Sequence, residues 1–176
     1  MLMRMLEKGW VPIYQDGHRD PDKFNPNWYY ESKGVFRHDP PHKHRRNDVE
    51  WKAVKICGPI HYFQMIKKDR LLKVLYIERD SKELVESHKI FRDHELWKKN
   101  NRRTPKSFDQ EKEWLRDTLK NMDNVLALYL NYWDIIEDPL RESKKIERFL
   151  WMDLDTKSMA EVVNLKLYRN RNDWAT

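Results

Sequence analysis

Four glycines and one cysteine are few for a chain of 176 residues. Gly9, Gly17, Gly34 and Gly58 are scattered, and none stands before a helix with a Lys or Arg and a Ser or Thr beside it. Residues 1–176 therefore hold no glycine-rich phosphate loop, which counts against a small-molecule kinase. The lone Cys57 excludes an internal disulfide and a zinc site built on cysteines; beside a strand end it reads as a small buried apolar side chain. No apolar run approaches the roughly 20 residues of a membrane helix. Residues 1–6 are too short and too polar for a signal peptide. A cytoplasmic setting, with no membrane in this segment, is the default expectation. Eight prolines with four glycines also exclude a low-complexity chain.

What is present fits one domain with a real core. Hydrophobic residues make up 39% and charged residues 36%, so the surface is densely charged. Eight Trp and eight Tyr suit pockets with aromatic walls. The net charge of +6 calls for an anionic partner: nucleic acid, a nucleotide, or a sulfated or phosphorylated group.

Residues 73–91, KVLYIERDSKELVESHKIF, carry the strongest local signal. Val74, Leu75, Tyr76 and Ile77 form a β-branched and aromatic run, the mark of a buried strand. Asp80 is placed to cap a helix, with Glu83 three residues on to close the box. Leu84, Val85, His88 and Phe91 then recur at helical spacing. Strand, tight turn and helix put Arg79 at the carboxyl end of the strand, where open α/β sheets bind ligands. Ser87 follows about two turns into the helix. An arginine fork and a hydroxyl converging on one point suit a phosphate. A strand-end arginine that caps its own sheet is the alternative reading.

The rest of the chain alternates in the same way. Residues 1–8 read as an amphipathic helix closed by Gly9, and residues 10–14 as an edge strand, since Pro12 cannot donate to a ladder. Residues 15–47 are irregular and hold Pro21, Pro26, Pro40 and Pro41, as expected of a functional lid on the substrate side. Residues 52–56 read as a strand and 59–68 as a short helix. Residues 98–105 form a basic loop. Ser107 with Gln110 is expected to cap the next helix, whose apolar face carries Phe108, Leu115, Leu119 and Met122. Residues 125–130, VLALYL, look like a parallel strand covered on both faces. Asp138 and Pro139 open another helix, with Ile146, Phe149 and Leu150 on its core face. A last short helix follows Thr156. The expected fold class is α/β, a parallel sheet flanked by helices.

Several blocks of the chain resemble the sulfotransferase family, in particular its bacterial sulfotransferase-domain group. The seven residues between Arg79 and Ser87 match the spacing of that family's 3′-phosphate ligands. Asp16, Gly17, Arg19, Asn25, Pro26, Tyr29, Tyr30 and Glu31 stand where the family reads Asp-Gly-x-Arg and Asn-Pro-x-Gly-Tyr-Tyr-Glu, with Trp28 in place of the glycine. Lys55, in VKICGP, matches the family's strand-end lysine, while Cys57 holds the place of a histidine base in the animal-type enzymes. YLNYWDIIEDPLRESKKIERFL and the LYRNR that ends at Arg171 are similar to the family's later segments. The resemblance spans nearly the whole chain.

It implies a P-loop NTPase-like sulfotransferase architecture and a single domain over 1–176. The co-substrate would be 3′-phosphoadenosine 5′-phosphosulfate. The acceptor would be a hydroxyl or amine on a small molecule or glycan, with nucleic acid the lesser candidate. Arg79, Ser87, Arg169 and Arg171 would hold the nucleotide. Glu31, and after it Asp16, would be the base, and Lys55 the cation on the bridging oxygen. The family's first strand and phosphosulfate loop have no counterpart, so the domain is expected to be N-terminally truncated. That strand lies between those of Val74 and Val125 in the family. A gap or collapse between the two is expected, with poor stability and no sulfuryl transfer. A non-catalytic nucleotide- or nucleic-acid-binding remnant is the alternative. His38, His42 and His44 have zinc-like density in sequence, yet lie in a Pro-rich loop that reads as solvated. Lys98, Lys99, Arg102 and Arg103 read first as a solvated basic face.

Overall fold

The computed structural model describes residues 1–15, 30, 50–56, 70–94 and 104–164; in the helix over 81–94, side chains are described as far as Ser87. The elements are α1 (Leu2–Lys8), β1 (Leu72–Glu78), α2 (Ser81–His94), α3 (Pro105–Lys120), β2 (Val125–Asn131), α4 (Tyr132–Glu137), α5 (Pro139–Leu150) and α6 (Thr156–Glu161). The class is α/β, with a small parallel sheet and helices. The expected helix over 59–68, most of the lid over 15–47 and the basic residues 98–103 lie outside the described residues.

β1 and β2 are hydrogen-bonded to one another in parallel, from Leu72 opposite Val125 to Glu78 opposite Asn131. No gap separates the Val74 and Val125 strands, and no third strand lies between them; their inner edges satisfy each other's backbone groups. The covering of β2 is also lighter than its apolar run suggests. Of its seven residues only Leu130 is buried, and Leu126 is exposed. In place of the strands expected over 10–14 and 52–56, the described residues show isolated bridge positions, among them a parallel bridge of Ile13 to Ala53, with Tyr14 N–H donating to the Ala53 carbonyl and Ala53 N–H to the Pro12 carbonyl.

The helix starts follow local chemistry. Asp80 accepts from the N–H groups of Lys82 and Glu83 and so caps α2. Asp138 caps α5 with Pro139 at its first position, and Asp155 caps α6 through Ser158. The cap of α3 corrects the sequence expectation: it is Thr104, in reciprocal hydrogen bonds with Ser107, with Pro139's counterpart here being Pro105. Thr104 can take extended geometry ahead of a proline, so the helix begins earlier than a Ser107 cap would allow. α4 was not expected; Asn131 caps it at once after β2, accepting from Trp133 N–H.

Among the described residues one cluster forms the main core. Met3, Met5, Leu6, Val11, Leu130, Ile135, Ile146, Leu154 and Met159 are buried together, with Leu75, Ile77 and Leu128 packed against them. Thus α1, α4, α5 and α6 share one face of the sheet. α1 meets α6 closely at Gly9. A Cβ there would lie 2.6 Å from Met159 Sδ and 2.8 Å from its Cγ. Gly9 itself has an ordinary φ of −82°; the left-handed residue is Trp10, at φ 70°. Trp10 N–H to the Glu7 carbonyl and Val11 N–H to the Leu6 carbonyl complete a Schellman closure of α1. From the other end of the sheet, Lys73 Nζ donates to the Leu150 carbonyl at 2.6 Å and lies over the Trp151 ring. This places a cation at the negative end of α5.

Candidate functional site: the carboxyl edge of the sheet

Glu78 and Asn131 are the last paired residues of β1 and β2. Arg79 and Tyr132 each follow directly, so the register carries them to one place. The Arg79 guanidinium lies 4.8 Å from the centroid of the Tyr132 ring. Its Nε donates to Glu83 Oε2 at 2.8 Å, and the two side chains are only 18% and 14% exposed. Burial raises the pKa of the Tyr132 hydroxyl, against the lowering effect of Arg79.

Ser87 lies on α2, one helical turn beyond Glu83, and is partly buried. Glu83 thus pairs with Arg79 on one side and stands one turn before Ser87 along α2, so it adjoins both residues that the sequence picks out as phosphate ligands. The carboxylate expected to close a capping box is instead the partner of Arg79. The amides at the start of α2 that would attract an anion are met by Asp80.

Two further clusters frame this edge. Ser81 Oγ donates to Asp109 Oδ1, and Lys112 Nζ donates to Ser81 Oγ at 2.7 Å, tying the start of α2 to α3. The Ser81 hydrogen bond is the chief cause that holds the Asp109 carboxyl below its usual range. On the sheet face beneath α3, Arg116 grips Glu78 with both Nε and a terminal nitrogen, at 2.7 and 2.5 Å. The same guanidinium lies over Tyr129, whose ring meets Tyr76 edge to face at 5.9 Å. Burial raises the pKa of both phenols.

Of the other sequence candidates, Lys55 is partly buried two residues past the Ala53 bridge. It is close enough to the α-ammonium of Met1 to help depress that group's pKa to about 6, after the larger effect of burial. Asp16, Glu31, Arg169 and Arg171 lie outside the described residues. Tyr30, next to Glu31, is buried in the core and donates to Glu7 Oε2 at 2.7 Å. That burial, and then the Glu7 hydrogen bond, raises its pKa well above the ordinary phenol value. Among the described residues no group of three or more His, Cys, Asp or Glu could hold a metal ion. His38, His42 and His44 lie outside them. Among the described residues no helix is long and apolar enough to cross a membrane.

The sequence reading missed Glu83 as the partner of Arg79, and it missed Tyr132. The first had a signal, the four-residue spacing from Arg79 to Glu83. The second had none, because it depends on the pairing of two strands about fifty residues apart. No family model, curated protein or solved structure matches the chain.

Proposed function

We propose that this chain is a sulfotransferase-type protein of P-loop architecture that binds 3′-phosphoadenosine 5′-phosphosulfate, with Arg79 and Ser87 as ligands of the 3′-phosphate. The observation that carries the proposal is positional. Arg79 stands at the carboxyl end of a parallel strand, directly before the cap of the helix that bears Ser87. That is where a doubly wound sheet presents ligand-binding groups. In the reaction, an acceptor hydroxyl or amine attacks sulfur in line. The sulfur–oxygen bond to the 5′-phosphate breaks, and adenosine 3′,5′-bisphosphate leaves. Glu31 or Asp16 would take the acceptor proton, and Lys55 would meet the charge on the bridging oxygen. Arg169 and Arg171 would extend the phosphate side. The acceptor class is a small molecule or glycan.

A second reading, a nucleotide-binding protein without transfer activity, is favoured by one observation. β1 and β2 pair directly, whereas the resemblance calls for a strand between them that carries the phosphosulfate loop.

Calorimetry with adenosine 3′,5′-bisphosphate tests the shared part of both readings. Arg79→Ala should weaken binding by roughly 1.5–3 kcal/mol, the worth of a charged hydrogen bond. Ser87→Ala should weaken it less. Equal affinity of the wild type and Arg79→Ala would sink the site assignment. Transfer of labelled sulfate from the donor to any acceptor would then favour the enzyme, and binding with no transfer the second reading.

A further inference from the structure

Phosphate needs the groups that Glu83 now occupies or faces. Its Oε2 sits 2.8 Å from Arg79 Nε, in a pair less than one-fifth exposed. The guanidinium is fixed from a second side by the Tyr132 ring, so it has little freedom to swing to a ligand elsewhere. Ser87 stands one turn beyond Glu83 on α2, so Glu83 adjoins both Arg79 and the Ser87 position. A phosphate that touched both would bring two negative charges against this carboxylate, at a site sheltered enough for the repulsion to count.

From this geometry we infer that Glu83 is a built-in competitor for the phosphate, an internal carboxylate that holds the Arg79 site closed until a phosphate monoester displaces it. The inference rests on the reading of Arg79 as a phosphate ligand. In the closed state Glu83 accepts from Nε and keeps the Arg79 guanidinium over the Tyr132 ring. In the open state the Glu83 side chain turns out to solvent, as a residue in the first turn of a helix can, and the phosphate oxygens take over the guanidinium and the Ser87 hydroxyl. The closed state lowers affinity for every phosphate ligand by the fraction of time it is populated. It also gives the site selectivity, because a singly charged carboxylate ligand gains nothing by replacing Glu83, while a doubly charged phosphate does.

The test measures adenosine 3′,5′-bisphosphate binding to the full chain and to Glu83→Gln, Glu83→Ala and Arg79→Ala. Glu83→Gln keeps the shape and a hydrogen bond but removes the charge. Its affinity should rise roughly tenfold over wild type, more than an exposed ion pair would yield. Glu83→Ala should rise as well, and Arg79→Ala should fall. Wild-type binding that is unchanged or weakened in both Glu83 variants would overturn the inference and make Glu83 a positioning partner of Arg79. Absence of binding in wild type and in both Glu83 variants would overturn the phosphate reading itself, and this inference with it. Should the Glu83 variants fail to fold, the Nε–H resonance of Arg79 in wild type decides. A large shift on adding ligand supports displacement of Glu83, and a resonance that stays put while ligand binds overturns it.

Discussion

Leu75, Ile77, Leu128 and Leu130 point to one face of the β1–β2 pair, and Val74, Tyr76, Glu78 and Tyr129 to the other. The first face closes on α1, α4, α5 and α6 through apolar side chains, several with no exposure at all. The second is met by α3 through Arg116, a carboxylate and two phenols in edge-to-face contact, all partly exposed, although α3 also buries Phe108 and Leu119. The same two strands thus serve two kinds of packing. Apolar burial gains in proportion to area and tolerates no void, whereas charged contacts near the surface trade against hydration and are worth little each. The apolar face should supply most of the stability. The polar face, which α3 ties to the start of α2 through Asp109, Lys112 and Ser81, should be the one that can rearrange more easily.

The largest expected effect breaks the first face. Ile146 has zero exposure on the inner side of α5, so Ile146→Ala leaves a cavity at the centre of the core. The loss should be about 2–5 kcal/mol by denaturant unfolding. The matched change on the second face, Val74→Ala, should cost clearly less, because Val74 is only partly buried. Equal losses would erase the distinction between the faces.

A smaller effect probes how tightly the core side is closed. Gly9 has a φ that alanine accepts, so on backbone grounds Gly9→Ala should stabilise by up to ~1 kcal/mol. The added Cβ, however, falls on the buried Met159 side chain, and overpacking costs about 1–3 kcal/mol. A net loss near ~1 kcal/mol is expected from these opposed terms. In a Met159→Ala background the sign should reverse. Persistence of the loss there would mean that the close approach of α1 and α6 is not its cause.

The contrast between the faces also explains what the sequence could tell. Caps and alternation are local, so Asp80 and Asp138 announced two helices, and the last was expected after Thr156. The opening of α3 was misread at Ser107 although Thr104 and Pro105 carry the signal, since a box can be drawn from either residue. The pairing of β1 with β2 was not legible. Strand order depends on long-range closure, and no local residue states which edge meets which. The candidate site divides in the same way. Arg79 and Ser87 were visible as a spacing; the four-residue spacing from Arg79 to Glu83 was there to read but was taken up by the capping box, and Tyr132 reaches Arg79 only through the register. The candidates in residues 16–29 and 31–49 and beyond Asn164 remain readings of sequence.

The smallest expected effect sharpens the second face. Arg116 is about half exposed and Glu78 about one-fifth, so solvent screens much of their attraction in spite of the two-pronged geometry. Glu78 nonetheless holds the guanidinium firmly protonated, chiefly through the hydrogen bond. A double-mutant cycle with Glu78→Gln and Arg116→Ala should give a coupling of about 0.2–1 kcal/mol. Arg116→Ala should cost more than Glu78→Gln, because it also removes the cation from the Tyr129 ring, a contact worth roughly 0.5–1 kcal/mol where exposed. At 1 M salt, where the screening length is about 3 Å, the coupling should shrink while the difference between the single variants persists. Stacking on a ring is a short-range contact that salt reaches poorly. A coupling above about 2 kcal/mol would exceed what an exposed pair supplies. It would mean that α3 shields this face as fully as α5 shields the other.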